Sequence, residues 1–164
     1  ILVNFHPETL NKLSSKKQFN EVLLALKKFK NINLIFTMPN SDTDGRVIIE
    51  MINEFVSNHS ERSISFSSMG HLNYISTLQF VDAVIGNSSS GILEAPTFKI
   101  GTINIGDRQK GRIKANSIID CNSDKKSIKD AIKKRAIKSM EMTDAEFDGE
   151  DIPQLGHNSK NRIE

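Results

Sequence analysis

Short, almost uniformly apolar runs alternate along this chain with longer stretches whose apolar residues recur every three to four positions. The runs fall at 1–5, 33–37, 63–66, 81–85, 101–105 and 117–120. Between them, 16–29 carries Phe19, Val22, Leu23, Leu26 and Phe29 on one helical face, and 45–57 carries Val47, Ile48, Met51, Ile52 and Phe55. A short helix is expected over 72–79, another opening after the small-residue turn at 86–91, and a strongly charged one over 123–139. Strands this short and this apolar, each followed by a helix, predict an α/β fold with a Rossmann-like, doubly wound parallel sheet covered on both faces. Ligands of such sheets bind beyond the C-terminal strand ends. That rule places the loops at His6, Pro39-Asn40, 67–71, 88–91 and 106–112 on one rim.

The pattern fades after position 140. Residues 1–140 read as one domain, and 141–164 as an acidic, weakly structured tail or a truncated crossover segment, with Asp144, Glu146, Asp148, Glu150 and Asp151 clustered and little to bury. With 164 residues, 37% of them hydrophobic, the chain is long enough for one continuous core. Its 22 basic and 20 acidic residues are interspersed, for a net charge of +2. That balance offers no electrostatic footprint for nucleic acid and no polybasic patch for a membrane, so neither is expected as a partner. A single cysteine, Cys121, excludes an internal disulfide framework and a cysteine-based zinc site, and points to a reducing compartment, the cytoplasm. The opening residues carry no basic leader and no initiator Met, so the chain is expected to start inside a larger protein.

Chemistry concentrates in Gly86-Asn87-Ser88-Ser89-Ser90-Gly91, directly behind an apolar run. A strand, a small-residue turn and a helix start leave main-chain N–H groups free for an anion, which suggests a phosphorylated ligand such as a nucleotide. The same Ser and Asn residues would also serve any helix as N-caps. A serine hydrolase is a poorer reading, because the turn lacks the second glycine of a nucleophile elbow.

Taken with His6-Pro7-Glu8-Thr9 and with Ile103-Asn104-Ile105-Gly106-Asp107-Arg108-Gln109-Lys110-Gly111-Arg112, the stretch Gly86-Asn87-Ser88-Ser89-Ser90-Gly91-Ile92-Leu93-Glu94-Ala95-Pro96 resembles the C-terminal half of the hydrolysing UDP-N-acetylglucosamine 2-epimerases. The likeness covers residues 1 to about 139 and is greatest to the branch serving sialic and legionaminic acid synthesis. It implies one half of a glycosyltransferase-B architecture, with the active site in the cleft between two Rossmann-like halves. It also implies elimination of UDP to a glycal, followed by hydration with inversion at C2, without a metal or nicotinamide cofactor.

By this resemblance Ser88 and Ser89 receive the diphosphate, and Glu94 accepts hydrogen bonds from the ribose diol, a task suited to an acceptor-only carboxylate. Arg108 contacts the nucleotide, with Lys110 and Arg112 as second candidates. Asn40 and Met69 contact the uridine, and His6 lines the active cleft as the catalytic histidine of this half. The proton-transfer carboxylates at C2 belong to an N-terminal half absent from this sequence. The implied partners are thus a UDP-sugar and that missing domain, and the chain alone is expected to be inactive. Homo-oligomerisation is compatible with the sequence. A glycosyltransferase half and a non-catalytic module of the same fold are the competing functions.

Overall fold

Six parallel strands, β1 (Leu2–Asn4), β2 (Leu34–Thr37), β3 (Ser63–Phe66), β4 (Ala83–Gly86), β5 (Gly101–Ile105) and β6 (Ile118–Cys121), pair in the order β3-β2-β1-β4-β5-β6. The computed structural model describes residues 1–8 and 14–147, with side chains as far as 136. Helices α1 (Ser15–Leu26), α2 (Thr43–Asn58), α3 (Gly70–Leu78), α4 (Ser90–Leu93) and α5 (Lys125–Phe147) connect or follow the strands, and a 3-10 turn (Ala95–Phe98) follows α4.

Register explains why the strands lack a polar face. Val3 lies opposite Phe36 and Ile85, and Ile85 opposite Ile103, while Leu2 lies opposite Ile35 and Val84. Alternation sends these two sets to opposite faces of the sheet. The first set packs against Phe19 and Val22 of α1, Ile48, Ile52 and Phe55 of α2, and Ile128 and Ile132 of α5. The second meets Leu78 of α3 and, beyond α4, Ala95 and Ile100. Both faces are covered, so apolar residues occupy successive rather than alternate positions in the central strands, and the doubly wound expectation holds.

The chain steps outward from β1 through β2 to β3, then returns along α3 to place β4 on the other side of β1. Loops leaving β1 and β4 therefore diverge. In open α/β sheets that divergence creates the ligand crevice.

Helix ends depart from the periodicity for identifiable reasons. The expected extension of α1 to 29 fails because the amides of Lys28 and Phe29 bond to Ala25 and Leu26 three residues back, tightening the last turn out of α geometry. Helix α2 starts earlier than 45, since Asp42 caps it by accepting from the Gly45 amide at 2.7 Å. The helix over 123–139 is longer than expected: α5 runs to Phe147 and so crosses the 140/141 boundary, and residues 148–164 of the acidic tail lie outside the described residues. Among the described residues no helix is long and apolar enough to cross a membrane.

Candidate functional site

The divergence between β1 and β4 opens a cleft of about 870 Å³, lined from the strand ends by Asn4, His6, the 37–42 loop, the 67–71 loop, Tyr74, Ser88, Ser90 and Glu94. That volume is within the roughly 300–1,000 Å³ usual for small-molecule sites. Three of the five rim loops expected from sequence thus converge with His6 on one concavity. A second cleft of about 360 Å³ adjoins it, sharing His6, Asn40 and Asp42 and adding Asp44 and Arg108.

Of the seven expected site residues, His6, Asn40, Met69, Ser88 and Glu94 border the larger cleft. His6 is half-buried and borders both clefts. Burial first, and the Arg108 charge second, hold its imidazole below the ordinary histidine pKa, against an opposing pull from Asp42. Near neutral pH the ring is therefore uncharged and can accept a proton or donate one hydrogen bond.

Ser88 Oγ accepts from the Ser90 amide at 3.4 Å, so part of the capping role falls to Ser88. Ser89 holds the N-cap position of α4 without a side-chain cap bond, and its carbonyl accepts from Ile92 and Leu93. It does not line either cleft. No acceptor among the described residues takes the main-chain N–H of Ser88 or Ser89. These two donors lie where the rim turns, as a phosphate cradle requires.

The helix behind them differs from expectation. It lasts one turn, Ser90–Leu93, because Pro96 lacks an N–H to continue the ladder and starts a 3-10 turn instead. A macrodipole from one turn is small, so any anion here meets individual N–H groups and hydroxyls. Glu94 sits at the junction of the two turns, half-buried, and Leu93 is 63% exposed, although the apolar flanks Ile92, Leu93, Ala95 and Pro96 suggest a largely buried helix. Arg108 is exposed, donates to the Asn87 carbonyl at 3.3 Å, and lines the second cleft rather than the larger one. Lys110 pairs with Asp107 at 4.0 Å and faces a different depression.

Asn4 and Tyr74 also line the cleft, outside the loops expected from sequence. Tyr74 of α3 hydrogen-bonds Ser90 Oγ, and Asn4 Nδ2 donates to the Tyr74 hydroxyl at 3.5 Å. Asn4, a polar residue ending an apolar strand, was the available signal. Tyr74 offered none, because its place on α3 matches a core position. Burial, then Asp124 and Asp120, push the Cys121 thiol up to about 12, so it stays protonated and unreactive. Among the described residues no three His, Cys, Asp or Glu side chains converge to hold a metal ion.

Comparison with known proteins identifies the family and the fold. The sequence profile of the family described as UDP-N-acetylglucosamine 2-epimerase matches residues 1–152. A GDP/UDP-N,N'-diacetylbacillosamine 2-epimerase (hydrolysing) of Campylobacter jejuni is 43% identical over 119 residues, covering 73% of this chain and 31% of the relative. The polysialic acid biosynthesis protein P7 of Escherichia coli is 40% identical over 128 residues, covering 77% of this chain and 32% of its own length. Among solved structures, S. aureus MnaA with UDP superposes at TM-score 0.62 and 14% identity, over 81% of this chain and 35% of that one. Glycosyltransferases share the fold at TM-score 0.51, so the fold is one half of the glycosyltransferase-B type. The chain spans about a third of the length of the curated relatives it matches. With the profile covering nearly its whole length, this chain belongs to the UDP-N-acetylglucosamine 2-epimerase family.

Proposed function

We propose that this chain is the UDP-binding half of a hydrolysing UDP-N-acetylglucosamine 2-epimerase that releases UDP and N-acetylmannosamine, or a diacetamido analogue. The observation that carries the reading is the convergence of His6, Ser88 and Glu94 on one cleft at the switch point. In the proposed assignment the Ser88 and Ser89 amides and the Ser88 hydroxyl take the diphosphate. Glu94 accepts from the ribose hydroxyls, Asn40 and Met69 meet the uracil end, and Arg108 approaches the phosphates from the second cleft.

The reaction first removes the C2 proton and breaks the bond from C1 to the UDP oxygen, leaving a glycal. Water then adds, its hydroxyl to C1 and a proton to C2 from the opposite face. UDP departs as an anion, so preorganised donors at the diphosphate stabilise the transition state more than the ground state. His6, uncharged near neutral pH, donates to or exchanges a proton at the leaving group. The carboxylates that move the C2 proton belong to the missing N-terminal domain, so this chain binds without turning over. The polysialic acid relative supports a sialic-acid type of pathway, and the lone, protonated Cys121 suits a cytoplasmic setting.

Calorimetry of this chain with UDP, UMP and UDP-N-acetylglucosamine tests the reading. Uridine-dependent heat is expected, weakened about tenfold or more by Ser88→Ala or Glu94→Ala, the usual loss for one charge-assisted hydrogen bond. Absence of heat with all three would favour a non-catalytic module. In the full-length protein, release of free sugar supports the epimerase, whereas transfer to an acceptor as a glycoside would identify a transferase.

A further inference from the structure

Asn87 is fully buried where β1 and β4 diverge, and its polar atoms all have partners. Its amide donates to the Asn4 carbonyl at 3.2 Å. Its Oδ1 accepts from the His6 amide at 2.7 Å while its Nδ2 donates to the His6 carbonyl at 2.8 Å, which closes a two-bond ring on one residue. Nδ2 also reaches Glu8 Oε1 at 3.2 Å. On the other side the Asn87 carbonyl accepts from Gln109 Nε2 at 2.8 Å and from Arg108 Nη1 at 3.3 Å. One residue thereby joins the loops that follow β1, β4 and β5.

Gln109 strengthens the point. It is 3% exposed, and its Oε1 has no hydrogen-bond partner among the described residues. A buried acceptor left unpaired is unfavourable, yet reversing the amide would set oxygen against the Asn87 carbonyl oxygen. The tie to Asn87 therefore fixes the Gln109 orientation and, with it, the loop that carries Arg108. Arg108 is exposed and would sample many rotamers without its own bond to the same carbonyl.

We propose that Asn87 is a positioning residue that holds the His6 loop and the Arg108 loop in one mutual geometry, so that imidazole and guanidinium reach the nucleotide together. It touches no reacting atom itself. The inference rests on the nucleotide reading above, and goes beyond it by assigning Asn87 and Gln109 a role in presenting other groups.

The test uses this chain with Gln109→Met, which removes one tie to the Asn87 carbonyl without altering the wall of the larger cleft, and with Asn87→Ser, which opens the ring on His6. Gln109→Met is expected to weaken UDP binding about three- to tenfold, the effect of freeing one rotamer-rich side chain. In an Arg108→Gln background that loss should disappear, whereas a purely structural role would leave it unchanged. NMR titration of Asn87→Ser should show the His6 midpoint rising toward the ordinary value. Folded variants that bind UDP like the parent chain and keep the parent His6 midpoint would overturn the proposal. If Asn87→Ser does not fold, the Gln109→Met cycle decides alone. If the parent chain gives no UDP heat, the nucleotide reading fails, and the His6 titration still decides whether Asn87 sets the imidazole.

Discussion

At Gly86 the backbone adopts φ +148, and a Cβ there would lie 1.9 Å from the Asn4 carbonyl oxygen. Strands β1 and β4 approach so closely at the switch point that only glycine fits, and the loops to His6 and Ser88 start from that contact. Gly86→Ala is therefore expected to cost about 3 kcal/mol or more, since neither the dihedral nor a backbone oxygen can give way. A thermal melt should read this as a fall of about 10 °C, and an unchanged melting temperature would contradict the account. At this scale the sequence was legible wherever a reactive type followed an apolar run, as with His6 and Ser88. It was silent about Tyr74 and Ser90, whose meeting depends on how α3 lies against the turn after β4. It also could not show that Arg108 lines the second cleft and not the larger one, because separation along the chain says nothing of which cleft a long side chain borders.

Each element exists for the reason its pattern gives, and its limits follow from local hydrogen bonds that periodicity does not encode. Strand β5 coincided with its apolar run, because every residue from Gly101 to Ile105 is buried. Helix α1 stopped short of Phe29 through three-residue bonding, and α4 stopped at one turn ahead of Pro96. Helix α5 starts where Asp124 accepts from the amide and hydroxyl of Ser127, at 2.9 and 2.6 Å. Those bonds hold the Asp124 carboxyl below its ordinary value. A carboxylate lowered in the folded state contributes stability above its unfolded pKa of about 4, and the contribution is lost as pH falls through the folded value. Asp124→Ala should cost about 1 kcal/mol at neutral pH, the usual worth of an N-cap. Asp124→Asn should restore the cap and remove its acid sensitivity. Denaturant melts at pH 7 and pH 3 check both, and an alanine variant as stable as the parent at pH 7 would refute the cap.

For the whole molecule, the strand order, both covered faces and the crevice between β1 and β4 follow from alternating buried strands and helices, a pattern spread over the entire described chain. The site is a product of that topology. Residues 6, 40, 69, 88 and 94 are far apart in sequence and meet only because the sheet reverses its winding at β1. What was not legible is how the rim divides into two clefts with His6 between them, because the division depends on where α2 and the loop after β5 settle. The curated relatives are more than twice as long as this chain, and in the proposed reading the second wall of the active site lies in sequence not present here.

Amide NMR of the isotope-labelled chain titrated with UDP tests the central claim most directly. Diphosphate binding at the switch point predicts the largest, saturable shifts at the Ser88 and Ser89 amides, with smaller ones at Glu94 and in the 67–71 loop. Saturable shifts confined to another surface, or an unperturbed 86–94 segment at saturating UDP, would contradict it.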